Sequence, residues 1–243
     1  MERLDDFADW LALDRQTLFA TIVGQLKLND DTETCSLCTD ELLLQSGIKP
    51  SLVIGNWLSH RIKIGDEAWR FLASHSNDIV REWAAIVVGL TDNITFARKL
   101  AWIKPFADGE HSGLREMAWL ALRTDVIRDP ILAIRCLVPW TGSRNERLRR
   151  FAAEVTRPCG VWSSHIQQLT DQPELGLPIL EPLMADDSVY VQDSIGNWLN
   201  DASKSRPEWV KATTDLWLSR SGSSNTQSIV KRAMRTVEKR DAN

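Results

Sequence analysis

The chain has 243 residues, of which 26% are charged, and a formal net charge of −4. That length allows a single large domain with a substantial core, and no apolar run approaches the roughly 20 residues needed to span a bilayer. Four cysteines are too few for a disulfide framework and fit a reducing, cytoplasmic setting, and the acidic start MERLDDFADW lacks the basic-then-apolar order of a signal peptide.

The charge is unevenly spread. Residues 1–46 carry ten carboxylates against three cations, a net −7, which leaves the remainder at +3. A mildly positive body can present a concentrated basic face to a phosphate backbone.

Taken in order, the pattern is helical throughout. Apolar residues recur at three- and four-residue spacing, and no sustained period-two run appears. Asp5 to about Lys27 fits one or two helices, Asn29–Thr39 is polar and irregular, and Asp40–Ser46 gives a short helix closed by Gly47-Ile48-Lys49-Pro50. Ser51–Ile62 and Asp66–Ser74 are expected as helices broken at Gly65. From residue 75 to 241 an internal repeat emerges, with 1–46 as an acidic helical cap on the same single domain. The phrase is aliphatic, basic, two variable residues, small: Val80-Arg81-Glu82-Trp83-Ala84, Leu114-Arg115-Glu116-Met117-Ala118 and Leu148-Arg149-Arg150-Phe151-Ala152. It returns more loosely at Val191-Gln192-Asp193-Ser194-Ile195 and Val230-Lys231-Arg232-Ala233-Met234. The basic position steps by 34, 34, 43 and 39 residues, each time after a polar cluster able to cap a helix. Such periods predict an all-α fold, an α-solenoid of HEAT-like helical repeats, in which stacked helix pairs share one core and leave a concave face. The small residue is expected to let helices approach, and the basic residue to stay solvated with its stem over apolar surface.

Few motifs carry chemistry. Cys35-Ser36-Leu37-Cys38 has CxxC spacing without a second pair or paired histidines, so two ordinary thiols are the better reading. No phosphate loop, GxSxG or HExxH is present. Of eleven tryptophans, Trp57, Trp69, Trp83, Trp102, Trp198 and Trp217 fall on apolar stripes, whereas Trp119 and Trp162 lie near a polar constellation. That constellation is the basic cluster Arg144, Arg147, Arg149, Arg150 and Arg157 with one embedded carboxylate, Glu154. Arg150 is four residues before Glu154 and Arg157 three after, so a helical salt bridge worth a few tenths of a kcal/mol is the simple account. A carboxylate held ionised by arginines near a helix end is also suited to face a developing cation.

Three stretches carry a resemblance. They are LRRFAAEVTRPCGVW, LGLPILEPLMADDSVYVQDSIGNWLNDASKSRPEWV and VKRAMRTVEKRD. In the same order they resemble the phrases VRRLASEGSRPRLPW, LPLLExLxxDPSEYVRRSVANxLNDIxKDHP and HALRTLxKKG of the AlkC branch of the AlkC/AlkD-like DNA alkylation repair family. The resemblance covers residues 114–241. It implies a HEAT-like DNA glycosylase that hydrolyses the N-glycosidic bond of cationic N-alkylated bases, such as 3-methyladenine and 3-methylcytosine, in double-stranded DNA. It implies Glu154 as the catalytic carboxylate and Trp162 as a lesion contact; Trp119 is a second candidate lesion contact through cation–π attraction, and no cofactor or metal is needed. DNA-binding residues would be Arg149, Arg150, Arg157, Asn197, Asn200, Lys204, Lys231 and Arg235. The chain departs from the family where a second upstream carboxylate is replaced by Trp119, and where a double arginine is replaced by Gln192-Asp193. Two rivals are a non-catalytic solenoid that binds damaged or branched DNA by shape and a protein-interaction scaffold. A monomer without membrane association is expected.

Overall fold

The structure, a computed structural model, describes residues 15–28, 36–37, 47–160 and 162–241. Cys35, Cys38, Val161, the expected helix Asp40–Ser46 and most of the acidic segment 1–46 lie outside the described residues. The chain divides into two compact units, Met1–Ala121 and Leu122–Asn243. Among the described residues all regular structure is helical, and no helix is long and apolar enough to cross a membrane.

The first unit contains α1 (Arg15–Leu26), α2 (Lys49–Ser59), α3 (Glu67–Ala73), α4 (Asp78–Leu90), α5 (Phe96–Ala107) and the start of α6 (Ser112–Arg128). Gly65 sits at φ +82°, where a side chain would be strained, and breaks the chain ahead of α3. Asp66 then caps α3, its carboxylate accepting the Trp69 N–H at 2.7 Å, and Asn77 caps α4 through the Ile79 N–H. Such caps contribute about 1 kcal/mol each. Packing follows from the apolar stripes. α2 lies against α4, and α4 also packs on α3 and α5. Gly55 makes the first of these contacts possible, because a Cβ there would come within 2.4 Å of the Ile86 side chain. Phe19 meets Trp57 and Trp83 edge-on in the core, and the Trp69 indole N–H donates to the Ala84 carbonyl.

The second unit holds the end of α6, then α7 (Pro130–Thr141), α8 (Glu146–Val155), α9 (Gln167–Asp171), α10 (Leu177–Leu180), α11 (Val189–Ala202), α12 (Pro207–Arg220) and α13 (Ser224–Asp241). α7 packs on α8, α8 on α11 and α11 on α13. Trp198 and Trp217 are fully buried here. The small position of the repeat behaves as expected, with Ala84, Ala118 and Ala152 completely buried.

The basic position does so at the exposed Lys231 but not in three of the other phrases. Rather than standing in solvent, Arg115 is buried and its Nη1 donates to the carbonyls of Gly109 and Glu110. Arg149 donates from Nη1 to the Ser143 carbonyl, six residues back, and Gln192 donates to the Asp186 carbonyl, again six back. Three successive repeats thus use this residue to tie the helix to the turn that precedes it. These phrases call for a long donor rather than a charge, and the buried bond to Gly109 gives the reason: a buried carbonyl left unpaired would cost about 1–3 kcal/mol.

Candidate functional site

Glu154 occupies the last turn of α8, a helix that ends because Thr156 adopts a cap conformation and Pro158 follows. The terminal carbonyls that a helix leaves unpaired are all met by side chains or turns. Arg123 Nη1 donates to the Val155 carbonyl at 2.8 Å, and the Trp198 indole N–H donates to the Thr156 carbonyl at 3.0 Å. The return loop is closed by the Ile166 N–H on the Pro158 carbonyl, and Arg123 Nη2 holds the Ser164 carbonyl at 3.3 Å. One buried guanidinium therefore pins both ends of the loop that carries Trp162.

The carboxylate itself is 4% exposed. Its Oε1 accepts from the Ser194 hydroxyl of α11 at 2.6 Å, with Arg150 Nη2 at 3.8 Å. Its Oε2 accepts from Arg157 Nη1 at 3.1 Å. Arg157 is shared, since its Nε reaches Asp201 Oδ2 at 2.9 Å, and Lys204 holds the other Asp201 oxygen at 2.7 Å. Two carboxylates bridged by one arginine are thus brought together in this unit. Burial by itself would push the Glu154 pKa up, but Arg150 and Arg157, with hydrogen bonds from Ser194 and Arg157, carry it below the ordinary carboxylate value. The group is ionised at neutral pH despite lying at the negative end of a helix. Arg123 is pushed down to about 10 by burial and by the like charge of Arg157, against the pull of Asp201, Cys159 and Glu154. Burial also raises the Cys159 thiol, with Asp201 adding to it, so the sulfur beside His165 is protonated. Two buried polar atoms near Gly160, Arg123 Nε and Ser163 Oγ, have no hydrogen-bond partner.

The expected site residues fall into three sets. Glu154, Arg150 and Arg157 form the buried network with Asp201 and Lys204, and Trp162, 39% exposed, rises from the adjoining loop. Arg150 also stacks its guanidinium over the Tyr190 ring at 4.4 Å. Lys231 and Arg235 belong to a second set, lining a groove of about 450 Å³ between α11 and α13 with Val189, Gln192, Asp193 and Arg232. Asp193 is paired with Arg232 there, and Asn197 accepts from Arg235 at 2.7 Å. The third set is committed to the fold. Arg149 makes two hydrogen bonds to Asp186, at 2.6 and 2.8 Å, besides its bond to Ser143. Asn200 donates to the Ala233 carbonyl and Thr236, joining α11 to α13. Trp119, in the first unit, is 3% exposed with its indole N–H on Glu116 at 2.9 Å. Sequence reasoning overlooked Ser194 and Arg123. Ser194 gave a faint signal, as the serine of the second resembled phrase. Among the described residues no cluster of His, Cys, Asp or Glu has the makings of a metal centre.

Comparison with known proteins bears on the same residues. Residues 121–237 match the family model described as DNA alkylation repair enzyme. A Bacillus subtilis (strain 168) protein, the uncharacterized protein YhaZ, is 38% identical over 120 residues, 49% of this chain and 33% of its own. The chain thus spans about a third of the length of that relative. The structure resembles Pseudomonas fluorescens alkylpurine DNA glycosylase AlkC bound to DNA containing an abasic site analog, with a TM-score of 0.70 at 24% identity over 92% of this chain and 62% of that one. It also resembles AlkD2 from Streptococcus mutans, with a TM-score of 0.67 at 20% identity over 89% and 97%. These likenesses show the all-α helical-repeat fold. The stretch matched by the DNA alkylation repair enzyme model, residues 121–237, holds Glu154 and every partner named for it.

Proposed function

We propose that the chain is a DNA alkylation repair glycosylase, hydrolysing the N-glycosidic bond of cationic N-alkylated bases such as 3-methyladenine and 3-methylcytosine in double-stranded DNA. The observation that carries this reading is Glu154, a buried carboxylate kept ionised by arginines and set beside a loop with an exposed tryptophan. A base that already bears a positive charge is a good leaving group. Its C1′–N bond breaks with the electron pair going to the base, which departs neutral, and positive charge develops on the sugar. A fixed carboxylate stabilises that charge more than water does, because it needs no reorganisation. Each carboxylate oxygen has lone pairs beyond the one used by Ser194 or Arg157, so Glu154 can also accept the proton of the water that adds to C1′. Trp162 offers a ring face to the cationic base or sugar. Lys231 and Arg235 in the α11–α13 groove, with Lys204, supply cations for backbone phosphates. The solved AlkC complex with DNA supports the choice of partner.

The test is release of free base from a methylated duplex. Wild type should release it, and Glu154→Gln should not, while still binding a duplex with an abasic-site analogue. Equal release by both proteins would overturn the assignment. A binding-only protein is the second reading, favoured by Trp119, a buried apolar residue where the resembled phrase has its upstream carboxylate. Tight DNA binding with no base release by wild type would establish it.

A further inference from the structure

Ser194 uses its hydroxyl differently from most others on the helices, sharing with Ser51 a bond to a carboxylate on another helix. Thr21, Thr214 and Ser228 each turn back to the carbonyl four residues earlier in their own helix, the usual resting place for a helical serine or threonine. Ser194, 2% exposed, instead points across from α11 to α8 and donates to Glu154 Oε1 at 2.6 Å. Arg150 lies too far from that oxygen for a hydrogen bond, so the Oε1 side of the carboxylate takes its orientation from Ser194. Arg157 fixes the Oε2 side. Together they hold the carboxyl plane against rotation.

We propose that Ser194 is a positioning residue for base release, setting the plane of Glu154 across the α8–α11 contact. The proposal rests on the glycosylase reading above. The hydroxyl, on a residue 2% exposed, acts through the carboxylate. It is a neutral donor, so it directs the carboxylate without adding a charge that would compete with a cationic substrate. The groups around Glu154 are Arg150 and Arg157 from its own segment, Arg123 from α6, and Asp201 and Lys204 reached through Arg157 from the α11 end. Tyr190 lies beneath Arg150. None of these donates to Oε1 in place of Ser194.

The experiment measures base release and its pH profile in full-length wild type, Ser194→Ala and Ser194→Thr, with affinity for an abasic-analogue duplex. Thermal melts and a ¹³C titration of the Glu154 carboxyl accompany them. Ser194→Ala should lower kcat about 10- to 100-fold, the size of a hydrogen bond to a charged group, with duplex affinity unchanged. The acid limb of the profile and the Glu154 titration should both move to higher pH, and Ser194→Thr, which keeps the hydroxyl, should recover most of the rate. If the alanine variant does not fold, Ser194→Cys keeps the volume with a much weaker donor and should show the same shifts. Wild-type kcat in the variant that folds, or a loss of rate with the acid limb and titration unmoved, overturns the proposal. Absence of base release by wild type itself overturns the glycosylase reading, and the role of Ser194 with it.

Discussion

Each unit of the chain buries a carboxylate that accepts a serine hydroxyl, and the two differ in what surrounds the pair. In the first unit Arg15 Nε donates to Ser51, which donates to Glu82 at 3.0 Å, and all three residues are fully buried. In the second, Ser194 donates to Glu154, but the network branches. Arg157 joins it to Asp201, and Asp201 leads to Lys204, whose side chain is half exposed. Among the described residues the first arrangement joins three helices through fully buried side chains. The second runs from the core to the surface beside an exposed tryptophan. Buried charge with good hydrogen bonds is common to both, so burial and pairing alone do not mark a site. What separates them is the path to solvent.

The sharpest way to break this contrast is a matched pair of substitutions. Glu82→Gln and Glu154→Gln should each cost roughly 1–3 kcal/mol in urea unfolding, because each replaces a buried carboxylate that accepts a serine hydroxyl with a neutral amide. Only Glu154→Gln should abolish base release per folded molecule. Loss of release in both variants would mean that the second network is no more than a structural tie. A smaller but related effect concerns pH. Glu154 has a depressed folded-state pKa, so its contribution to stability is fully present above the ordinary carboxylate range and is lost as pH falls through the folded value. Melts from neutral to acid pH should show that loss in wild type and less of it in Glu154→Gln.

Arg149→Met should cost about 3 kcal/mol, since it strands Asp186 and the Ser143 carbonyl, and leave the salt dependence of DNA binding unchanged. Lys231→Ala and Arg235→Ala should do the reverse. Each should reduce the slope of log affinity against log salt by roughly 1 and alter stability by less than about 0.5 kcal/mol.

These opposite expectations bear on what could be read from the residues. The helical repeat was legible because the phrase recurs at nearly constant spacing and its alanines must be buried for the helices to pack. The cation in the phrase is not solvated as expected at Arg115 and Arg149. Its partner is a backbone carbonyl six residues earlier, and carbonyls leave no trace in a sequence. Gln192 held the clue: a position filled by arginine in three repeats and by glutamine in the next is one that needs a donor rather than a charge. Glu154 and Arg157 were legible from helical spacing. Asp201, 44 residues beyond Arg157, and Arg123, 31 residues before Glu154, were not placed in the site, because only the packing of separate helices brings them there.

Arg149 and Asp186 carry a consequence for how such a chain can be rebuilt. The arginine belongs to one repeat and the aspartate to the turn of the next, and that aspartate also accepts the Ser188 N–H while its carbonyl accepts from Gln192. The two repeats are therefore stapled through a residue that neither can spare. Deleting or duplicating one of them as a cassette would separate a partly covered cation from its anion. A workable seam must keep Arg149 with Asp186, so the unit of exchange here is offset from the repeat that the eye picks out.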